Sequence, residues 1–139
     1  MANTSKTAIV TGASQGIGAG LVKAFLKRGY SVVANSRNIT KANPFAAAAN
    51  VALVDGDIGH PDTAAKIVDT AVSRFGRIDV MINNASIFIP KAFTEYTTED
   101  VNTLVSTTLC RLSLRVTANR QANVAAEIGQ HHQRVHYPG

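Results

Sequence analysis

The sequence has one cysteine, no tryptophan, four prolines and no long apolar run. A single thiol, Cys110, excludes an internal disulfide and any metal site built from several cysteines. A reducing cytoplasm is the expected setting. No stretch approaches the roughly 20 apolar residues of a membrane-spanning helix. The opening MANTSKTAIV has neither the basic stretch nor the apolar run of a secretory signal, so no membrane partner is expected. Acids are outnumbered, nine to fourteen, for a net charge of +5. That excess is unevenly spread. Residues 1–109 hold ten basic and eight acidic side chains, whereas residues 110–139 hold four arginines and one glutamate. With no basic run and no aromatic residues interleaved with basic ones, a nucleic-acid partner is not expected.

What remains is an ordinary globular composition, 45% hydrophobic and 17% charged, and 139 residues are enough for one core. Thr7 to Thr11 (TAIVT) is a short β-branched run that stops at Gly12. Ile17, Leu21, Val22, Phe25 and Leu26 then recur on one face of a helix from Gly16 to Arg28, closed by Gly29. Ser31 to Asn35 (SVVAN) reads as a second buried strand, and Val51 to Val54 as a third. Between them, Pro44 predicts a short or broken helix. Ala64, Ile67, Val68, Ala71, Val72 and Phe75 have helical spacing, and Pro61 suits the first turn of that helix. Asp79 to Asn83 (DVMIN) predicts a fourth strand, and Thr97 or Thr98 a helix cap before Glu99 and Asp100. Strands alternating with helices predict a doubly wound α/β fold with a parallel sheet, and right-handed crossovers give the strand order 3-2-1-4.

Chemistry concentrates where the first strand meets the first helix. Thr11-Gly12-Ala13-Ser14-Gln15-Gly16-Ile17-Gly18 places three glycines at a helix N-terminus. A pyrophosphate needs backbone N–H donors there and no side chains in the way. Gly12 permits the tight turn, Gly16 lets the backbone approach, and Gly18 lets the helix pack on the strand. A plain strand-helix turn would also accept glycine, but the βαβ setting favours the dinucleotide reading.

The spacing T-G-x-x-x-G-I-G resembles the fingerprint of the short-chain dehydrogenase/reductase family, which includes 3-oxoacyl carrier-protein reductases and sugar dehydrogenases. Three further stretches match. Asp57-Ile58 follows the third strand, where the family sets an Asp against adenine. Arg77-Ile78-Asp79-Val80 leads into the fourth strand, and Asn83-Asn84-Ala85-Ser86 closes it where the family has N-N-A-G. The resemblance covers residues 6 to about 108. It implies the N-terminal half of a Rossmann-type fold and an NAD(P)-dependent oxidoreductase acting on a carbonyl or secondary alcohol. It also implies cofactor contacts from Gly12, Ser14, Gln15, Gly16, Ile17, Gly18, Ser36, Arg37, Asp57, Ile58, Asn84 and Ala85. Ser86 departs from the family glycine, and its Cβ would be costly if the position required positive φ. Asp57 has a second reading, since an acid after a strand also caps turns.

The second strand ends Asn35-Ser36-Arg37. NAD-preferring dehydrogenases carry an acid there for the ribose hydroxyls. A serine followed by an arginine suits a 2′-phosphate instead, so NADP is expected over NAD. The alternative for Arg37 is a solvated surface charge.

The family scheme also implies a Tyr-x-x-x-Lys pair, a Ser and an Asn. Tyr30 is followed four residues on by Ala34 and Tyr96 by Asp100, while Tyr137 has no residue at that distance. Ser106-Thr107-Thr108-Leu109 puts Thr108 where the family Asn belongs. No catalytic residue is therefore assigned, and no metal site, His131, His132 and His136 being weak zinc evidence. The expected organisation is a nucleotide-binding half-domain, 1–108, followed by an atypical tail, 109–139. Codons for Arg111 to Gly139, shifted by one base, can encode a string containing R-Q-M-L and then S-G-N-I-I-N-V-S. Those pieces resemble the family's continuation, so the tail is expected to be a frameshift product rather than a divergent segment. The competing functional expectation is a non-catalytic nucleotide-binding or assembly fragment, and homo-oligomers are compatible with either.

Overall fold

The computed structural model describes residues 5–87 and 89–108. The tail at 109–139, with Cys110 and its three histidines, lies outside them. The chain runs β1 (Thr7–Thr11), α1 (Gly16–Lys27), β2 (Ser31–Ser36), α2 (Ile39–Ala42), β3 (Val51–Asp55), α3 (Pro61–Phe75), β4 (Val80–Ile82) and α4 (Thr98–Thr108), with a 3₁₀ turn at Phe93–Glu95. The four strands form one parallel sheet in the order β3-β2-β1-β4. This is the Rossmann-type half-fold expected.

Strand alternation sends side chains to two cores. Ile9, Val33 and Val54 face α3, whose Ile67, Val68, Ala71 and Phe75 cover them. Ala8, Val10, Val32 and Ala34 face the other way, onto Val22 of α1 and onto Ile39 and Phe45. Because both faces are covered, every residue of β1 and the first five of β2 are buried, with no solvent-facing side. The second helix is four residues long and ends at Asn43, whose φ of 39° is left-handed. Asn tolerates that region, and Pro44 prevents continuation. Pro61 occupies the first turn of α3, and Gly76 closes it with φ of 77°.

Two expectations are corrected here. Ile17 does not join the core face of α1 but stands 76% exposed. It lies in the first turn, beyond the end of the strands the helix covers. The fourth strand is three residues, not five. At its start Asp79 turns its carboxylate onto the backbone, where Oδ2 accepts from Thr7 N–H at 2.8 Å, and pairs with Arg77 at 2.5 Å. Thr97, not Thr98, caps α4. Its hydroxyl accepts from Asp100 N–H (3.1 Å) while Asp100 Oδ2 accepts from Thr97 N–H (3.0 Å), a reciprocal capping box. Lys91, 2.7 Å from the same carboxylate, adds to those bonds and holds the Asp100 carboxyl down to about 2.

Candidate nucleotide-binding cleft

The C-terminal ends of the strands and the N-terminus of α1 surround a cleft of about 380 Å³. It opens where the sheet switches direction, because β1 is followed by a helix on one face while β4 is preceded by α3 on the other. Ligands of open α/β sheets bind at such points.

The glycine turn forms one wall. Gly12 has φ of 63° and leaves no room, since a Cβ would lie 2.9 Å from Ala85 Cα. A Cβ on Gly18 would come within 2.1 Å of Gly12 O, so this glycine lets α1 seat on the turn. Gly16 has φ of 57° and nothing within 4 Å of the Cβ position, an open concavity beside the helix end. No side chain caps α1, and no acid sits in its first turn. Its leading N–H groups and positive dipole end are left for an anion from outside. An uncapped helix end beside an open, glycine-lined cradle fits a pyrophosphate.

The β4 side is fastened by a buried hydroxyl. Thr11 Oγ1 accepts from Asn84 N–H (3.1 Å) and Ala85 N–H (3.0 Å) and donates to Ile82 O (3.4 Å). Asn84 Nδ2 donates to Thr11 O (3.3 Å) and Gly12 O (3.2 Å). Asn84 thus holds the glycine turn against the end of β4, more than a turn residue would. Ser86 carries no positive φ, which among described non-glycine residues belongs only to Asn43, so the anticipated strain does not arise.

The third wall comes from β2 and β3. Ser36 and Arg37 line it, and Arg37 is exposed with no carboxylate paired to it among the described residues. Asp57 and Ile58 complete it. Asp57 Oδ1 accepts from Gly59 N–H at 2.8 Å, so the turn-capping reading holds alongside the cleft position. Next to this wall, Asp55 accepts from both Thr40 N–H (3.0 Å) and the Thr40 hydroxyl, bonds that hold its carboxyl below the usual range.

Eleven of the twelve residues expected from sequence line this one cleft, and the twelfth, Gly18, lies beneath it. The sequence reading did not select Asn35, Gly56, Ser86 and Ile87 as contacts, and these also line it. Asn35 was visible as an amide at the end of the run Ser31 to Asn35. Among the described residues there is no group of three metal-ligating side chains, and no helix is long and apolar enough to cross a membrane.

The short chain dehydrogenase profile matches residues 6–112. The chain belongs to the short-chain dehydrogenase family. It is 38% identical over 112 residues to an uncharacterized oxidoreductase of Methylorubrum extorquens, covering 71% of this chain and 45% of that one. Among solved structures, it resembles the 3-ketoacyl-(acyl-carrier-protein) reductase from Brucella melitensis complexed with NADH. The TM-score is 0.69 at 28% identity, over 83% of this chain and 48% of the reductase. It also resembles a blue fluorescent protein from a metagenomic library in complex with NADPH, with a TM-score of 0.71 at 26% identity, over 86% and 52% of the two chains. This short-chain dehydrogenase sequence therefore spans about half the length of its relatives.

Proposed function

We propose that this chain carries the nucleotide-binding half of an NADP(H)-dependent oxidoreductase acting on a carbonyl or secondary alcohol. The observation that carries the cofactor choice is Arg37, which stands exposed on the cleft wall beside Ser36, with no acid at the end of β2. A 2′-phosphate there gains a charge-assisted hydrogen bond from Arg37, and β2 itself ends without the carboxylate that would repel it. The glycine turn and the first turn of α1 hold the pyrophosphate, with Gly18 supporting them from below. Ser14, Gln15, Gly16 and Ile17 border that end of the cleft, Asp57 and Ile58 border the adenosine end, and Asn84 and Ala85 close the opposite side. NADPH, when bound, supplies the hydride. The alkoxide forming in such a reduction needs a proton donor with its pKa brought toward neutral. This sequence has no Tyr-x-x-x-Lys pair to act as one, and Thr108 offers a hydroxyl where the family uses an amide. The 139-residue chain therefore binds nucleotide without completing the reaction.

The test is a fluorescence titration of both cofactors against Arg37→Ala. NADPH binding is expected to weaken by about 1–3 kcal/mol, the value of a charge-assisted bond, with little change for NADH. An equal loss for the two cofactors would overturn the NADP assignment.

A further inference from the structure

Asn35 is polar at a position where the sheet calls for an apolar side chain. It is 1% exposed, in the last register steps of β2, opposite Thr11 on one side and Val54 on the other. A buried carboxamide is tolerated only when its groups are hydrogen-bonded, and the strand ladders do not need it. Its Nδ2 donates to Val54 O at 2.9 Å and reaches past the end of β3 to Gly56 O at 3.1 Å. Gly56 N–H donates in turn to Ser36 O at 3.1 Å. Gly56 leaves the strand with φ of 144°, and a Cβ there would meet Thr63 Oγ1 at 2.6 Å. The sharp exit that aims Asp57 and Ile58 at the cleft is thus clasped from Asn35 and Ser36. The backbone of Asn35 serves a different wall, its carbonyl accepting from Ala13 N–H of the glycine turn at 2.9 Å.

We infer that Asn35 is a positioning residue that sets the adenosine end of the cleft through its side chain and the phosphate turn through its carbonyl. The inference rests on the nucleotide-binding reading above. The two roles separate under substitution, because every replacement keeps the carbonyl and only the carboxamide is lost. Ligands that reach the adenosine wall should therefore feel a change at residue 35, and a ligand confined to the glycine turn should not.

The probes are NADPH, followed by fluorescence, and inorganic pyrophosphate, followed by calorimetry, on the whole chain. Asn35→Ala is expected to weaken NADPH at least about tenfold, the size of one of the two buried hydrogen bonds it removes, and to leave pyrophosphate unchanged. Should the alanine variant not fold, Asn35→Thr decides the matter. Threonine suits a strand, and its single hydroxyl can serve Val54 O but not Gly56 O as well, so the same split between ligands is expected. A parallel loss for both ligands, as general loosening would give, overturns the inference, as does an unchanged NADPH affinity. Wild-type chain that binds neither NADPH nor NADH removes the nucleotide reading itself, and this inference with it.

Discussion

The two flanks of the sheet differ in how completely they are covered. On the β3 side, strands of five and six residues lie under α2 and α3, and Val51, Ala52 and Val54 are buried although β3 is an edge. On the β4 side, the strand has three residues, all half-buried, and no further strand pairs with it among the described residues. Val101 and Val105 of α4 remain exposed beyond it, as does Phe93. The covered flank carries the walls proposed for the adenosine and the pyrophosphate. The open flank is where the family's catalytic side would continue. On the proposed function, most of the nucleotide cleft rests on the covered flank, with Asn84 and Ala85 closing it from the β4 side, and the proton donor would belong to the open flank.

The sharpest way to break this comparison is turnover. A gene restored to the alternative frame is expected to oxidise NADPH on some member of a carbonyl panel, and the 139-residue chain is not. A positioned general acid alone is worth about 10²–10⁴ in rate, and here its pKa partner is missing too. Protein-dependent absorbance loss by the short chain would contradict the division. Next in size is one substitution placed on each flank. Ala52→Lys puts a charge into the covered core and should cost about 3 kcal/mol or more, read as a lower melting temperature. Met81→Lys meets a half-buried site from which the ammonium can reach water, and it blunts the open edge. It should lower apolar-dye binding and raise the monomer fraction in sedimentation. Similar destabilisation at both positions would mean that the flanks are equally covered.

The smallest effect concerns the pin that joins the flanks. The bond from the Arg77 guanidinium, with the Thr7 N–H and nearby Lys6, holds the Asp79 carboxyl below its ordinary value. A carboxyl lowered by folding stabilises above its unfolded pKa, and that contribution fades as pH falls through the folded value. Asp79→Asn should therefore match wild type in strongly acidic solution and trail it above about pH 4. The gap should stay under about 1 kcal/mol, since Arg77 is largely solvated. Chemical denaturation at pH 7 and pH 2.5 reads it, and a constant gap would mean that the loss does not come from the carboxylate charge.

Most of the covered flank was legible in the sequence because apolar runs and glycine punctuation coincide there. TAIVT matched β1 residue for residue, and the second and third strands were each one residue short. Ile17 misled because helical periodicity cannot tell a first-turn side chain at a cleft rim from one over the sheet. Asn35 was passed over for a related reason: its use depends on Gly56, twenty-one residues on, and no local pattern reports that pairing. The open flank was read less well. Strand 4 was drawn too long because Asp79 and Asn83 fit an extended pattern, whereas only Val80 to Ile82 pair with β1.

The placement of β1 between β2 and β4 has a consequence for assembly. Thr7 pairs with Ser31, twenty-four residues on, but its N–H bond to Asp79 spans seventy-two. Closing the longer loop from an open chain costs roughly 1 kcal/mol more by chain entropy alone. Pairings of larger sequence separation also form more slowly. The β1-β2-β3 ladder, which carries the proposed adenosine wall and receives the glycine turn through Asn35, is complete in sequence by Asp55. The Asn84 wall can close only after β4 has been made and docked. On loop-closure grounds the β4 wall of the cleft should be the last to close, and it closes onto the Thr11 hydroxyl, which accepts from Asn84 N–H and Ala85 N–H.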